Sequence, residues 1–99
     1  MKRDEEIKQM LGRQVKRFLE RHVEGYYKDG KPRSTLIARD MNKFYDGEKI
    51  DKNNVLFWLR SPSPAFIYFL EITSGLNIDW LYHGEEDPSI KPIKPRIHK

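Results

Sequence analysis

Ile7, Met10, Leu11, Val15, Phe18, Leu19 and Val23 recur with three-and-four spacing through residues 4–23. Only an α-helix brings positions with that spacing onto one side, so the chain is committed to an amphipathic helix with one buried stripe. Lys8, Arg13, Lys16, Arg17, Glu20 and Arg21 fill much of the remainder and are expected to face water. Asp4 is the expected N-cap, with Glu5 and Glu6 suited to the positive end of the helix dipole. Gly12 interrupts the pattern without breaking it.

Glycine, proline and capping residues divide the rest of the chain. "GYYKDGKPRS" reads as a loop. A second helix runs from Ser34, its expected cap, through "TLIARDM", and "NKFYDGEK" is irregular, with a turn at Asp46-Gly47. The third helix is "DKNNVLFWLR", residues 51–60, with Asp51 as N-cap and Ile50 and Val55 placed as a hydrophobic staple. Ser63 and Pro64 form a cap and first-turn pair that starts "AFIYFLEITS", and Gly75 ends this fourth helix as a left-handed C-cap. Asn77 caps the short "IDWLYH", ended by Gly84. No strand signal and no internal repeat is read. From Glu85 onward the chain is Pro-spaced and Lys-rich. The expectation is an all-α, compact five-helix domain over residues 1–86 and a flexible basic tail over 87–99.

Ninety-nine residues allow one modest core. The chain is 34% charged with net charge +4, which favours nucleic acid, an anionic membrane surface or an acidic protein as partner. The excess is mild, so clustering of the cations matters more than their total. With no cysteine, disulfides, thiolate metal sites and cysteine nucleophiles are excluded. No apolar run approaches the roughly 18 residues of a membrane span, and "MKRDEEIKQM" is too polar for a signal peptide, so a cytoplasmic protein is expected. His22, His83 and His98 are scattered and none sits at metal-ligand spacing from another. His22 lies beside the apolar stripe and reads as a packing residue. There is no nucleophile-elbow serine and no glycine-rich phosphate loop, and the carboxylates read as caps and solvated faces. Neither enzyme activity nor a metal or cofactor is expected.

"SGLNIDWLYHGEE", residues 74–86, carries a more specific message. Two short helices, then a helix, a small-residue turn and "DWLYHGEE", resemble the helix-turn-helix domain of phage-repressor and Cro-type transcription regulators. In that family an aspartate-Trp-Leu-x-x-Gly-Glu phrase commonly marks the fifth helix. Its Trp and Leu pack back on the domain before the chain leaves for a linker. The resemblance gives Trp80 and Leu81 the role of a plug under the core, a role that core closure alone also explains. Ile37, Ala38 and Met41 match the apolar-alanine-apolar pattern of the first motif helix. Ile50, Asp51, Val55 and Trp58 match the second, and the likeness covers residues 34–86.

Two departures from the family stand out. The family has a glycine-centred turn of about one residue between the places of Met41 and Ile50, whereas this chain has residues 42–49, an enlarged turn. Its Phe44 and Tyr45 are expected to cover the core. The family's outward positions on the recognition helix also include the places of Leu56 and Phe57. Burial under the 42–49 insert is the expectation for that pair, with contact to thymine methyls or to a partner protein as the alternatives.

The resemblance implies sequence-specific binding of double-stranded DNA, by a regulator that represses by occupying an operator. Helix 51–60 would read the major groove. Its base-contact candidates are Lys52, Asn53, Asn54 and Arg60, because Lys donates to guanine acceptors and Asn pairs with adenine in bidentate fashion. Asn53 and Asn54 equally suit an ordinary helix start. Backbone-contact candidates are Lys31, Arg33, Ser34 and Thr35 at the start of the first motif helix, with Lys43 and Lys49 in the enlarged turn. "FIYFLEI" is apolar nearly all round, so Phe66, Ile67, Tyr68, Phe69, Leu70 and Ile72 call for a second covering surface. A homodimer is the favoured source and the long first helix the other. Nothing of domain size comes after the Gly-Glu phrase, so regulation is expected from concentration, a partner or loss of the protein. The rival reading is a small helical adaptor, inhibitor or antitoxin that grips a protein partner through the apolar third and fourth helices.

Overall fold

The first apolar stripe becomes α1, Asp4–His22, in a computed structural model that describes residues 3–47 and 49–95. Its inward face buries Met10, Leu11, Val15, Phe18 and Leu19, and Ile7 and Val23 pack against the same core at its ends. Asp4 is not the cap. Arg3 holds that position without a side-chain hydrogen bond, and Asp4, Glu5 and Glu6 form the first turn, where carboxylates meet the positive end of the helix.

The stretch after α1, expected to be a loop, contains a small antiparallel hairpin. Its strands are β1, Tyr27–Lys28, and β2, Lys31–Pro32, with Tyr27 opposite Pro32 and Lys28 opposite Lys31. Asp29 and Gly30 form the turn with φ of 53° and 76°. Positive φ at both central residues is what a two-residue hairpin of matching twist demands. Just before it, the buried Tyr26 donates its hydroxyl to Asp40 at 2.6 Å. Burial first, and this bond second, push the phenol well above its usual range.

α2 spans Ser34–Tyr45, beyond the expected end at Met41, and Arg33 rather than Ser34 holds its N-cap position. Half of the 42–49 insert is therefore helix, closed by Asp46 in the left-handed conformation. Phe44 and Tyr45 do cover the core: Phe44 lies edge-on to Phe69 at 5.4 Å, and the Tyr45 hydroxyl donates to the Ala65 carbonyl.

α3 is Lys52–Arg60 and α4 is Pro64–Ser74. Ser63 caps α4 by accepting from the Phe66 amide, and Gly75 ends it with φ 73°. Phe66, Ile67, Phe69 and Leu70 are buried within this one chain. Tyr68 and Ile72, one helical turn apart, remain 51% and 55% exposed.

α5, Ile78–His83, is capped by Asn77 and closes the core from below. Leu81 is fully buried, and Trp80 packs 6.3 Å from Phe18. Gln14, buried on α1, donates to the Trp80 carbonyl at 3.0 Å and accepts from Arg17. Arg13 and Arg17 both bind Glu85, just past α5. The Arg13 hydrogen bond above all, with Arg17 adding to it, holds the Glu85 carboxyl below the usual range. His22, although exposed, lies with its ring tilted against Phe18 at 5.6 Å.

The segment after Gly84 doubles back instead of trailing away. Asn77 donates to the Pro92 and Lys91 carbonyls, Lys94 donates its amide to Gly75, and Leu76 bridges Ile93. The side chain of Lys94 pairs with Glu71. The reason is local: the Gly75 amide and the Asn77 carbonyl are used by the ends of α4 and α5, and the extended proline-spaced strip pairs the Gly75 carbonyl and the Asn77 amide that remain. His98, with the rest of 96–99, lies outside the described residues. Among the described residues no helix is long and apolar enough to cross a membrane.

Gly12 lies buried where α1 passes under the end of α3. A Cβ there would sit 2.6 Å from the Arg60 carbonyl oxygen and 3.2 Å from that of Leu59. Gly12→Ala is expected to cost about 2–3 kcal/mol of overpacking, because the Cβ meets backbone rather than a movable side chain, against the roughly 1 kcal/mol that alanine gains in helix propensity, a net loss of about 1–2 kcal/mol readable by urea unfolding. For Glu85, whose folded pKa is depressed, the contribution is present above its unfolded value and lost as pH falls below it. Glu85→Gln is therefore expected to lower stability at pH 7 by about 0.5–1 kcal/mol. Melting curves of variant and wild type should converge on acidification through the carboxylate range.

Candidate nucleic-acid interface

α3 begins with a complete capping box. The Asp51 carboxylate accepts from the amides of Asn53 and Asn54 at 2.9 and 3.0 Å, and the Asn54 side chain accepts from the Asp51 amide at 3.0 Å. The connection from α2 is pinned as well. Asn42 uses both ends of its amide on Ile50, accepting from its N–H and donating to its carbonyl, each at 2.8 Å. Val55 is fully buried beneath, and the far end of α3 rests on Gly12. The helix is therefore held at its start, its middle and its end.

What remains on the outside is a stripe of Asn53, Leu56, Phe57 and Arg60, all exposed, with Lys52 beside it. This spacing of three, four and seven is one helix face. Three of the four base-contact candidates, Lys52, Asn53 and Arg60, have no hydrogen bond or ion pair from their side chains to another described residue. Asn54 is different, because its carbonyl oxygen belongs to the cap. Leu56 and Phe57 stay 40% and 56% exposed, so the expected burial under the 42–49 insert does not occur. The physical reason is that residues 42–45 extend α2 and turn Phe44 and Tyr45 toward α4, away from α3.

The proposed phosphate contacts fall into two groups. Lys31 on β2, Arg33, Ser34 and Thr35 gather at the start of α2, where Arg33, Ser34, Thr35 and Arg39 share a surface hollow. No side chain caps α2, whereas the Asp51 carboxylate occupies the first amides of α3. An anion would therefore meet open N–H groups on α2 and side chains on α3. Lys43, in the last turn of α2, and Lys49, in the connection, lie toward the other end of α3 with Lys52. All four lysines and Arg33 are exposed, and none makes an ion pair with a described residue.

Arg60 joins the first group from the opposite side. With Lys16, Tyr27, Gly30, Pro32, Leu56 and Leu59 it lines a groove of about 440 Å³ between the hairpin, α1 and α3. Lys28, Lys16 and Arg39 were not nominated from the sequence. The Asp29-Gly30 turn was the one signal that would have brought Lys28 to this edge. Arg13 and Arg17, by contrast, are committed to Glu85. Among the described residues no group of three His, Cys, Asp or Glu side chains is placed to hold a metal ion.

No family model matches the chain, and no curated protein or solved structure shows significant similarity to it.

The capping box and the outward stripe separate stability from surface chemistry. Asp51→Ala is expected to cost about 1 kcal/mol by uncapping α3. Asn53→Ala, which removes no side-chain hydrogen bond among described residues, should leave the stability within about 0.5 kcal/mol of wild type, read by thermal melting.

Proposed function

We propose that this chain is a repressor-like helix-turn-helix regulator that binds double-stranded DNA sequence-specifically, with α3 in the major groove. The observation that carries the proposal is the outward face of α3. It is held from beneath and, among the described residues, offers uncommitted Lys52, Asn53 and Arg60 and has unpaired cations at both of its ends. α3 has nine residues and is about 13 Å long, comparable with a major groove about 12 Å wide. Cations at both ends of such a helix suit the phosphates that border the groove. The roles come from chemistry: Lys52 donates to guanine acceptors, Asn53 pairs with adenine, and Leu56 and Phe57 touch thymine methyls. Lys31, Arg33, Ser34, Thr35, Lys43 and Lys49 hold the backbone and fix the register. Tyr68 and Ile72, left exposed one turn apart on α4, support a homodimer that reads two half-sites.

A second reading is favoured by one feature. Phe57 at 56% exposure and Leu56 at 40% form an apolar spot in the middle of the outward face. An adaptor, inhibitor or antitoxin would use that spot to grip a protein, and DNA binding would then be absent.

Single substitutions separate the two. Under DNA binding, Lys52→Ala and Asn53→Ala each weaken the preferred duplex by about 1–3 kcal/mol, with unchanged melting temperature and an affinity that falls steeply with salt. Under the adaptor reading these changes are silent, and Phe57→Ala or Leu56→Ala abolishes capture of the protein partner. Fluorescence anisotropy with labelled duplex, alongside thermal melts, reads both arms. Silence of Lys52→Ala and Asn53→Ala on every duplex bound would falsify the assignment of α3.

A further inference from the structure

The hairpin between α1 and α2 carries a pair that its own stability does not favour. Lys28 and Lys31 are directly opposite each other across the ribbon, and like charges so placed are destabilising. Asp29 sits between them in the turn yet makes no ion pair with either. Both lysines are exposed. The ribbon is nonetheless fixed in position. Tyr27 and Pro32, the alternate pair, are half-buried and line the groove with Leu56, Leu59 and Arg60. Side chains alternate along a strand, so this inward pair turns Lys28 and Lys31 to the outer face. The Arg33 amide closes the base of the ribbon onto the Tyr26 carbonyl at 2.8 Å.

Resting on the DNA-binding reading, we infer that the hairpin tip is a second phosphate-binding element, in which Lys28 and Lys31 together hold the sugar–phosphate backbone of the duplex that α3 engages. This goes beyond Lys31 as one backbone contact: the element is the ribbon, and Lys28 is half of it. The two lysine side chains leave paired strands about 5 Å apart and end in ammonium groups on flexible stems. One strand of a duplex carries a charge every ~3.4 Å of its axis, and the length of the two lysine stems lets both ammonium groups reach phosphates of one strand. The repulsion that costs stability in the free protein is relieved when an anion sits between them. The groove shared by Gly30 and Arg60 ties the tip to the end of α3, so both act on one ligand.

The test compares the full-length wild type with two variants that each remove two positive charges. Lys28→Ala/Lys31→Ala empties the hairpin. Arg21→Ala/Lys91→Ala removes two cations from a cleft between α1, α5 and the returning segment that no α3 or hairpin residue lines. Affinity for a fluorescein-labelled mixed-sequence duplex is measured between about 50 and 200 mM salt, with a thermal melt of each protein. The expected result for the hairpin variant is a melting temperature at or above wild type, a salt slope shallower by about 2, and at least about tenfold weaker binding at low salt. The Arg21/Lys91 variant is expected to keep the wild-type slope. An unchanged slope in the hairpin variant, or an equal loss in both variants, overturns the hairpin element while DNA binding stands. Failure of the wild type to bind the duplex at the lowest salt overturns both.

Discussion

At Gly12 the backbone of α1 comes so close to the carbonyls ending α3 that a single added carbon would collide with Arg60. That approach sets the height of α3 above the core. Val55 then reaches fully into the interior, and the capping box and Asn42 fix the start of the helix. These contacts also set the rotation of α3: with Val55 inward, Asn53, Leu56, Phe57 and Arg60 point out. The closeness of α3 to α1 depends on Gly12, where any side chain would force the end of α3 outward.

The rest of the molecule serves to hold that arrangement. Leu81 and Trp80 close the core under Phe18, and Glu85 ties α5 to α1 through Arg13 and Arg17. These arginines are spent on structure and are removed from the surface charge available to a ligand. The lysines around α2 and α3 are not. Against this well-satisfied interior, in which no buried side-chain polar atom lacks a partner among the described residues, the exposed Phe57 and Leu56 stand out. Full burial of a large apolar side chain is worth roughly 1.5–3 kcal/mol, and these two residues forgo only part of it. Tyr68 and Ile72 on α4 are exposed to a similar degree, so each of these two helices carries an apolar spot on its outer face.

How far the fold was legible depended on how locally each element is specified. Asp51, Ser63, Asn77 and Gly75 sit where the sequence places them, decided within four positions of the chain, whereas Asp4 and Ser34, expected as caps, lie one position inside their helices. The hairpin was missed because two-residue strands show no alternation, leaving Asp29-Gly30 as the sole sign. The extension of α2 through Phe44 and Tyr45 was missed for another reason. Those aromatics are drawn inward by Phe69 and Ala65 on α4, a contact distant in sequence. Of the candidate site, the polar residues of α3 could be placed by helical periodicity. The second role of Asn54 in the cap, the exposure of Leu56 and Phe57, and the joining of Arg60 to the hairpin all depend on tertiary packing. Gly12 looked like a weakness in a helix and is the point on which another helix rests.

The measurement that bears most directly on DNA recognition by α3 is selection from a random duplex library at about 0.15 M salt, with the recovered sequence then measured for binding against a scrambled one. The account predicts a recovered palindrome preferred by about a thousandfold or more, with half-sites about one helical turn apart. Weak binding that ignores sequence, with no motif recovered, would contradict it and leave the exposed Leu56 and Phe57 as the surface of a protein-binding module.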